Sequence, residues 1–329
     1  MLAITDNLIV TLSLLTIITK LVIVRWKQTD LTLALNMITD DWLKIKSDKE
    51  QRVMVKYAQR ARAILIFGYI IMIVALNLII FLPYFGISLR FITNITDSEK
   101  ILPMETYDFY DKDQSPYYEL TFTAQALLAI MAALSYTGVD NLLGLLVFHL
   151  CGQMKNLKER LINIRQYKTF CNDLTFVVED HIRLIKYFNI VEGTFTLLLL
   201  ELLLYFAILF CVFGFLIVEV LTEGKEMSMF RLMYLISVGL DIFGHMCLYC
   251  VVGEILIAHS EGVYQGVYEC EWYTLEPEQA RTLILIMIQA NKPLYITAGN
   301  MFPMTLSMFC DLIKTSCGYL SILLKRQNS

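Results

Sequence analysis

The chain has 329 residues, 57% of them hydrophobic and 18% charged, with a net charge of −4 and a mean hydropathy of +0.58. Soluble domains run about 45–50% apolar and about 25% charged, so a single soluble core would leave much of this apolar surface in water, and a disordered chain is excluded outright. The small negative charge and the lack of a Lys/Arg block argue against nucleic acid as a partner, which leaves a membrane protein with several spans.

Crossing about 30 Å of hydrocarbon takes about 20 helical residues. Apolar runs of about that length fall at 8–24, 64–85, 121–150, 194–220, 232–258 and 296–324, giving an all-α membrane protein with six predicted spans in one domain, 1–329. The first run is short and carries Lys20. It has no basic segment before it and no small-residue cleavage site after it, so it does not read as a signal peptide. The third to sixth runs are longer than a bilayer needs, which predicts helices that tilt or continue into water as packed stalks.

Between the first two spans, Ser47-Asp48-Lys49-Glu50 has the S-x-x-E form of a capping box and predicts a helix running unbroken into the second span. The loop 86–120 carries seven acidic and three basic residues. It is either an acidic mouth that concentrates cations or a solvated loop, and its Tyr107, Phe109, Tyr110, Tyr117 and Tyr118 suit interfacial anchors. Residues 154–190 place Leu157, Leu161 and Ile164 in a helical rhythm among charges, the pattern of an amphipathic stalk. Pro277 fits a first helical turn and Pro293 a stop, so a short helix at about 277–290 precedes the last span.

Orientation follows from the 27 Lys and Arg. Segments 25–62, 151–190 and 259–295 hold eighteen, whereas 86–120, 221–231 and the tail after Leu324 hold seven. The first group is therefore cytoplasmic and both chain ends are extracellular. The single N-x-[ST] sequon, Asn94-Ile95-Thr96, lies in the 86–120 loop, where a glycan requires a luminal position. All eight cysteines avoid the two outer loops, which argues against an extracellular disulfide framework.

No catalytic constellation stands out. Cys247-Leu248-Tyr249-Cys250 has C-x-x-C spacing but lacks a second pair and sits in an apolar run, so packing cysteines are the reading. His149, His181, His245 and His259 show neither ligand spacing nor carboxylate companions, so no metal site and no cofactor is expected. There is no G-x-S-x-G elbow, P-loop or H-E-x-x-H, and an enzyme is not expected. Ionisable residues within the spans include Asp140, Glu201, Asp241, Glu254 and Asp311 with Lys314, the last two spaced to pair. They serve either helix packing or an ion or ligand route.

The C-terminal third carries Glu271-Trp272-Tyr273, Arg281, Asn291-Lys292-Pro293, Thr297-Ala298-Gly299, Phe302-Pro303 and Lys314-Thr315-Ser316-Cys317-Gly318-Tyr319. Upstream lie Leu89-Arg90-Phe91-Ile92-Thr93-Asn94, Ser135-Tyr136-Thr137-Gly138-Val139-Asp140 and Asp180-His181-Ile182-Arg183-Leu184-Ile185. With these motifs the chain resembles the insect odorant receptor family, in the subgroup common in ants, bees and wasps, over nearly its whole length. Members of that family have seven spans and a cytoplasmic N-terminus, so this chain resembles one that starts just before the second span. G-protein-coupled receptors have the opposite orientation.

The resemblance implies an olfactory receptor, the odorant-binding subunit of a ligand-gated, non-selective cation channel formed with the odorant receptor coreceptor as a four-subunit assembly. It places the protein in the cell membrane of olfactory neuron dendrites, with small volatile or cuticular hydrophobic ligands. Cytoplasmic helices, here within 154–190 and 259–292, would form the anchor between subunits, and 296–324 the pore helix. Ile322 would be the hydrophobic gate, with Lys325 and Arg326 near the outer mouth. The family's ligand pocket in the outer half of the bundle maps to Thr16, Ile73, Asn77, Tyr118, Phe122, Gln125, Tyr234 and Val238, because an apolar ligand needs an apolar cavity with a few polar groups. Departures from the family pattern are Gln289-Ala290 in place of a commoner Arg-Ser, and Asn300 where Lys is common. A gustatory-type receptor would end in a T-Y-x5-Q-F signature, which the chain lacks. A transporter would show an internal repeat, and none is visible.

Overall fold

In the computed structural model, which describes residues 2–85, 102–104, 114–164, 170–222 and 229–327, the described residues are mostly helical. Helix α1 (Leu2–Trp26) passes almost directly into α2 (Gln28–Leu43). The Lys27 N–H still donates to Ile23 and the Leu31 N–H to Lys27, at 2.9 and 3.0 Å, so the two form one bent rod. Helix α3 (Asp48–Tyr84) begins at the expected capping box: the Ser47 hydroxyl accepts from the Glu50 N–H, and the Glu50 carboxylate accepts from the Ser47 N–H. It then runs without a break into the second predicted span.

Helices α4 (Tyr117–Ile162), α5 (Phe170–Thr222) and α6 (Met229–Glu269) follow. Their 46, 53 and 41 residues correspond to about 69, 80 and 62 Å at 1.5 Å per residue, roughly twice the hydrocarbon thickness. The long apolar runs thus continue beyond a bilayer as stalks. A buried core runs from the spans into the stalks: Leu146, Leu150, Leu157 and Leu161 of α4 pack with Tyr187, Phe195 and Leu199 of α5 and with Leu256 and Val267 of α6. The Tyr187 hydroxyl also donates to the Leu146 carbonyl at 3.1 Å. Four of the described helices are long and apolar enough to cross a membrane, at Asp48–Tyr84, Tyr117–Ile162, Leu174–Gly214 and Ile236–Thr274. The α5 stretch is central, with half of it buried, whereas the most apolar stretch of α3 has no fully buried residue. The first and last predicted spans fall on α1 and on the last helix.

After a 3-10 turn at Trp272–Thr274, α7 (Pro277–Ala290) matches the short helix read from its prolines. The last predicted span needs correction. Helix α8 (Leu306–Gln327) starts ten residues later than the apolar run, because β1 (Thr297–Ala298) and β2 (Phe302–Pro303) form an antiparallel hairpin first. Gly299 and Asn300 turn the chain at φ +63° and +58°, a left-handed conformation that glycine and asparagine tolerate best. The apolar residues on either side hid this Gly-Asn turn from a hydropathy reading. The 154–190 segment covers the end of α4, which stops at Ile162, and the beginning of α5, which starts at Phe170.

Candidate functional site

The span charges converge. Lys20 of α1, 1% exposed, meets Asp140 of α4 at 2.5 Å, and its ammonium lies 3.3 Å from the centre of the Tyr136 ring. From α6, His245 Nε2 stands 3.9 Å from Asp140 Oδ2, and its Nδ1 is 3.1 Å from Asp241 Oδ1 one turn earlier. Glu201 of α5 stands beside Thr16, Thr19 and Lys20, and Tyr205 shares a 2.9 Å hydrogen bond with Ser13. The Tyr249 hydroxyl lies beside Asp140, a donor next to the second carboxylate oxygen of the Lys20 partner. A buried ammonium is costly without a counter-charge, so this pairing explains how α1 tolerates Lys20. It binds four helices through side chains far apart in sequence.

This corrects the reading of the histidines as lacking carboxylate companions. His245 has Asp241 and Asp140, and His149 Nε2 lies 3.0 Å from Asp41 Oδ2. His259 bonds the Tyr57 hydroxyl instead, and His181 is buried at the stalk end. Among the described residues no group of three or more such side chains is arranged to hold a metal. Cys247 is half-buried and Cys250 buried, both free thiols, in keeping with packing.

The outer-half candidates separate into groups. Thr16 is buried one turn from Lys20, and Val238 is half-buried three residues before Asp241, so both border the polar cluster. Tyr118 and Phe122 pack ring on ring at 6.0 Å, and Phe122 also meets Tyr84 of α3. Gln125 is buried and accepts the Met104 N–H at 2.9 Å. Ile73 and Asn77 lie on an exposed face of α3, with the Asn77 amide donating to the Ile73 carbonyl at 2.7 Å. Asn94 lies outside the described residues, as does the side chain of Tyr234. Ile322, Lys325 and Arg326 fall on α8, but their side chains are outside the described set. Asp311 and Lys314 pair at 3.5 Å on an exposed face of α8.

At the stalk end a second ionic network ties the α2–α3 connection to α4 and α5. Arg183 spans Asp41 at 2.6 Å and Asp180 at 2.7 Å, and Arg160 joins Asp180 at 2.8 Å and Glu50 of the capping box. Burial works to raise the pKa of Asp41, but hydrogen bonds from His149 and Arg183 outweigh it and hold the carboxyl below its ordinary value. Burial lowers that of Lys46, which donates to the Asp41 carbonyl. An open cleft of about 380 Å³ adjoins this network, lined by Asp40, Lys44 and Arg183 among others.

The hairpin fixes the base of α8. Glu192 of α5 accepts from the Thr297 N–H at 3.1 Å and from its hydroxyl. One turn on, the Thr196 carbonyl accepts the Gly299 N–H at 2.8 Å and its hydroxyl accepts the Asn300 N–H at 3.0 Å. Glu254 of α6 accepts the Leu306 N–H at 3.4 Å, at the start of α8. Gly253 beside it lets the Met304 carbonyl come so close that a Cβ there would stand 2.1 Å away.

Long apolar helices, a buried ionic cluster and packed stalks define a helical, multi-span membrane protein. Its sequence matches the family described as 7tm Odorant receptor over residues 1–317, and the chain belongs to that family. Membership places it among receptors, not enzymes. It is 25% identical over 224 residues to Odorant receptor 10 of Aedes albopictus, covering 66% of this chain and 58% of the mosquito receptor. It is 24% identical over 235 residues to Odorant receptor 30a of Drosophila melanogaster, covering 70% and 60%. The matches thus span less than two thirds of these curated relatives. An 84-residue stretch is 30% identical to the odorant receptor coreceptor of Ooceraea biroi, covering 25% of this chain and 17% of that one. In fold it resembles the olfactory receptor OR5 of Machilis hrabei, with a TM-score of 0.81 at 15% identity over 97% of this chain and 80% of that one. The same receptor in complex with eugenol gives 0.74, over 97% and 88%.

Proposed function

We propose that the chain is the odorant-binding subunit of a ligand-gated, non-selective cation channel that it forms with the odorant receptor coreceptor in a four-subunit assembly. The observation that carries this reading is the family match over residues 1–317. The fold shared with OR5 and the local similarity to a coreceptor support it. The ligand is a small hydrophobic molecule, volatile or cuticular, in keeping with the eugenol complex of OR5. It binds in the outer half of the bundle, among Thr16, Phe122, Gln125, Val238 and their neighbours.

In this reading α8 lines the pore, with Ile322 as gate and Lys325 and Arg326 toward the mouth. The hairpin couples α8 to α5 and α6, so that a shift of those helices on ligand binding reaches the pore helix through Glu192, Thr196 and Glu254. Segments 154–190 and 259–292 form the cytoplasmic anchor between subunits, and the protein works in the dendritic membrane of olfactory neurons. Affinity purification from cells expressing a tagged chain with the coreceptor tests the assembly. Coreceptor retained through size exclusion as one tetramer-sized species is expected, and two separately eluting homo-oligomers would refute it.

A further inference from the structure

We propose that the exposed basic face of α3, centred on Lys56 and Arg60, binds the head group of an anionic phospholipid of the cytoplasmic leaflet, whose acyl chains lie along Phe67, Ile70 and Val74 of the same helix. This goes beyond the channel reading and takes only the choice of leaflet from the Lys/Arg distribution.

Three observations carry it. First, at about 100° per residue, Lys49, Arg52, Lys56 and Arg60 fall within an arc of about 80° on α3, and all four are exposed. The acidic residues of the same stretch lie off that arc, and Glu50 is turned to Arg160. Arg52 bonds the Asp48 carbonyl at 3.1 Å, and the Arg60 guanidinium lies 5.2 Å from the centre of the Tyr57 ring. Among the described residues no carboxylate pairs with any of the four. Orientation in a membrane asks only that cations lie on the cytoplasmic side; it does not ask that they share one face.

Second, that arc continues along α3 as exposed apolar surface. Phe67, Ile70 and Val74 are 60%, 54% and 55% exposed. The passage from Arg60 to Phe67 covers about 10 Å, comparable with a head-group layer of roughly 5–8 Å between water and hydrocarbon. Third, positive charge from another helix gathers at the same level. The Tyr57 hydroxyl bonds His259 of α6, and the cations acting on both are Arg60 and Lys155 of α4. Lys155 is paired with Glu159 at 2.7 Å, whereas Arg60 meets a ring face and, among the described residues, no anion.

Lys56 and Arg60 are one turn and about 6 Å apart, so one phosphodiester between them accepts charge-assisted hydrogen bonds from both. The second anionic group of the head then lies toward Arg52. An acidic protein would meet the cations but not the apolar face above them, and a zwitterionic lipid would leave the positive excess in place.

The test titrates three probes into the detergent-purified full chain: dioctanoyl phosphatidylserine, dioctanoyl phosphatidylcholine and chain-free glycerophosphoserine. Affinity is read from the concentration dependence of the thermal midpoint. Phosphatidylserine is expected to bind most tightly. At about fivefold per juxtamembrane cation, Lys56→Gln with Arg60→Gln should weaken it about twenty-five-fold and leave phosphatidylcholine unchanged. Lys56→Arg with Arg60→Lys should keep most of the affinity. Lys186→Gln with Arg281→Gln removes the same charge from exposed positions on α5 and α7 and should change nothing. The proposal is overturned if the two lipids bind alike, or if the control pair weakens phosphatidylserine as much as the α3 pair does. It is equally overturned if glycerophosphoserine matches phosphatidylserine, which would make the face a site for soluble anions. Staining of a C-terminal tag only after permeabilisation would overturn the leaflet alone.

Discussion

Lys20 and Asp140, 120 positions apart in the chain, meet at 2.5 Å in the interior of the bundle, where their side chains are 1% and 8% exposed. The pair locks α1 to α4 and brings the titratable groups of α5 and α6 around it. Breaking a buried pair from one side strands a charge and costs about 3–5 kcal/mol, whereas replacing both partners by apolar groups is often near neutral. Lys20→Met should therefore lower the thermal midpoint of the purified protein sharply, and Lys20→Met with Asp140→Leu should recover most of it. Fluorescence-detected size exclusion after a temperature ramp measures both.

The stalk network gives the protein an acid limit. Because Asp41 is held below its ordinary pKa in the folded state, its contribution is full above the unfolded carboxylate value of about 3.9 and is lost as pH falls from there through the lower folded value. Thermal midpoints taken from pH 7 downward should drop below about pH 4. Asp41→Asn should flatten that part of the profile, and an unchanged profile would remove Asp41 as its cause.

Gly253 is irreplaceable if the Met304 carbonyl must rest on it. Adding a Cβ at 2.1 Å forces the hairpin off α6, so Gly253→Ala is expected to destabilise the chain by about 1–3 kcal/mol, the usual range for overpacking. Glu192→Ala strands the Thr297 N–H at a cost of about 1–3 kcal/mol, while Glu192→Gln keeps an acceptor and should cost less. Thermal unfolding of the three variants side by side tests the order.

The Lys/Arg distribution predicts an outer position for the 86–120 loop and for both chain ends. Asn94→Gln should remove a glycan and speed gel migration in a secretory host. A C-terminal tag should stain on intact cells. Staining only after permeabilisation would reverse the orientation.

What was legible in the sequence was local. The Ser47–Glu50 capping box, the Pro277 helix start and the Asp311–Lys314 pair each depend on residues within one turn, and the structure holds all three. The partners of Lys20 were not legible, since a span charge announces the need for a counter-charge but not which of several distant carboxylates supplies it. The Asp241–His245 spacing of four is visible in the sequence, but it does not tell whether the two side chains face each other or which other helix meets them. The hairpin at 297–303 was missed because its flanking apolar residues continue a hydropathy run that only the Gly299-Asn300 turn interrupts. Of the pocket candidates, Thr16 and Val238 border the cluster while Ile73 and Asn77 lie on an exposed face, a matter of helix rotation that spacing alone does not set.

The most direct test of the receptor-channel reading is whole-cell current in cells expressing this chain with the coreceptor, read against cells expressing either protein alone. An odorant panel should evoke a current only in the co-expressing cells. Its reversal potential should be unmoved by exchanging sodium for potassium and should shift strongly negative when external cations are replaced by N-methyl-D-glucamine. Surface-expressed protein that passes no ligand-evoked current across the panel, or a current whose reversal potential follows chloride, would contradict it.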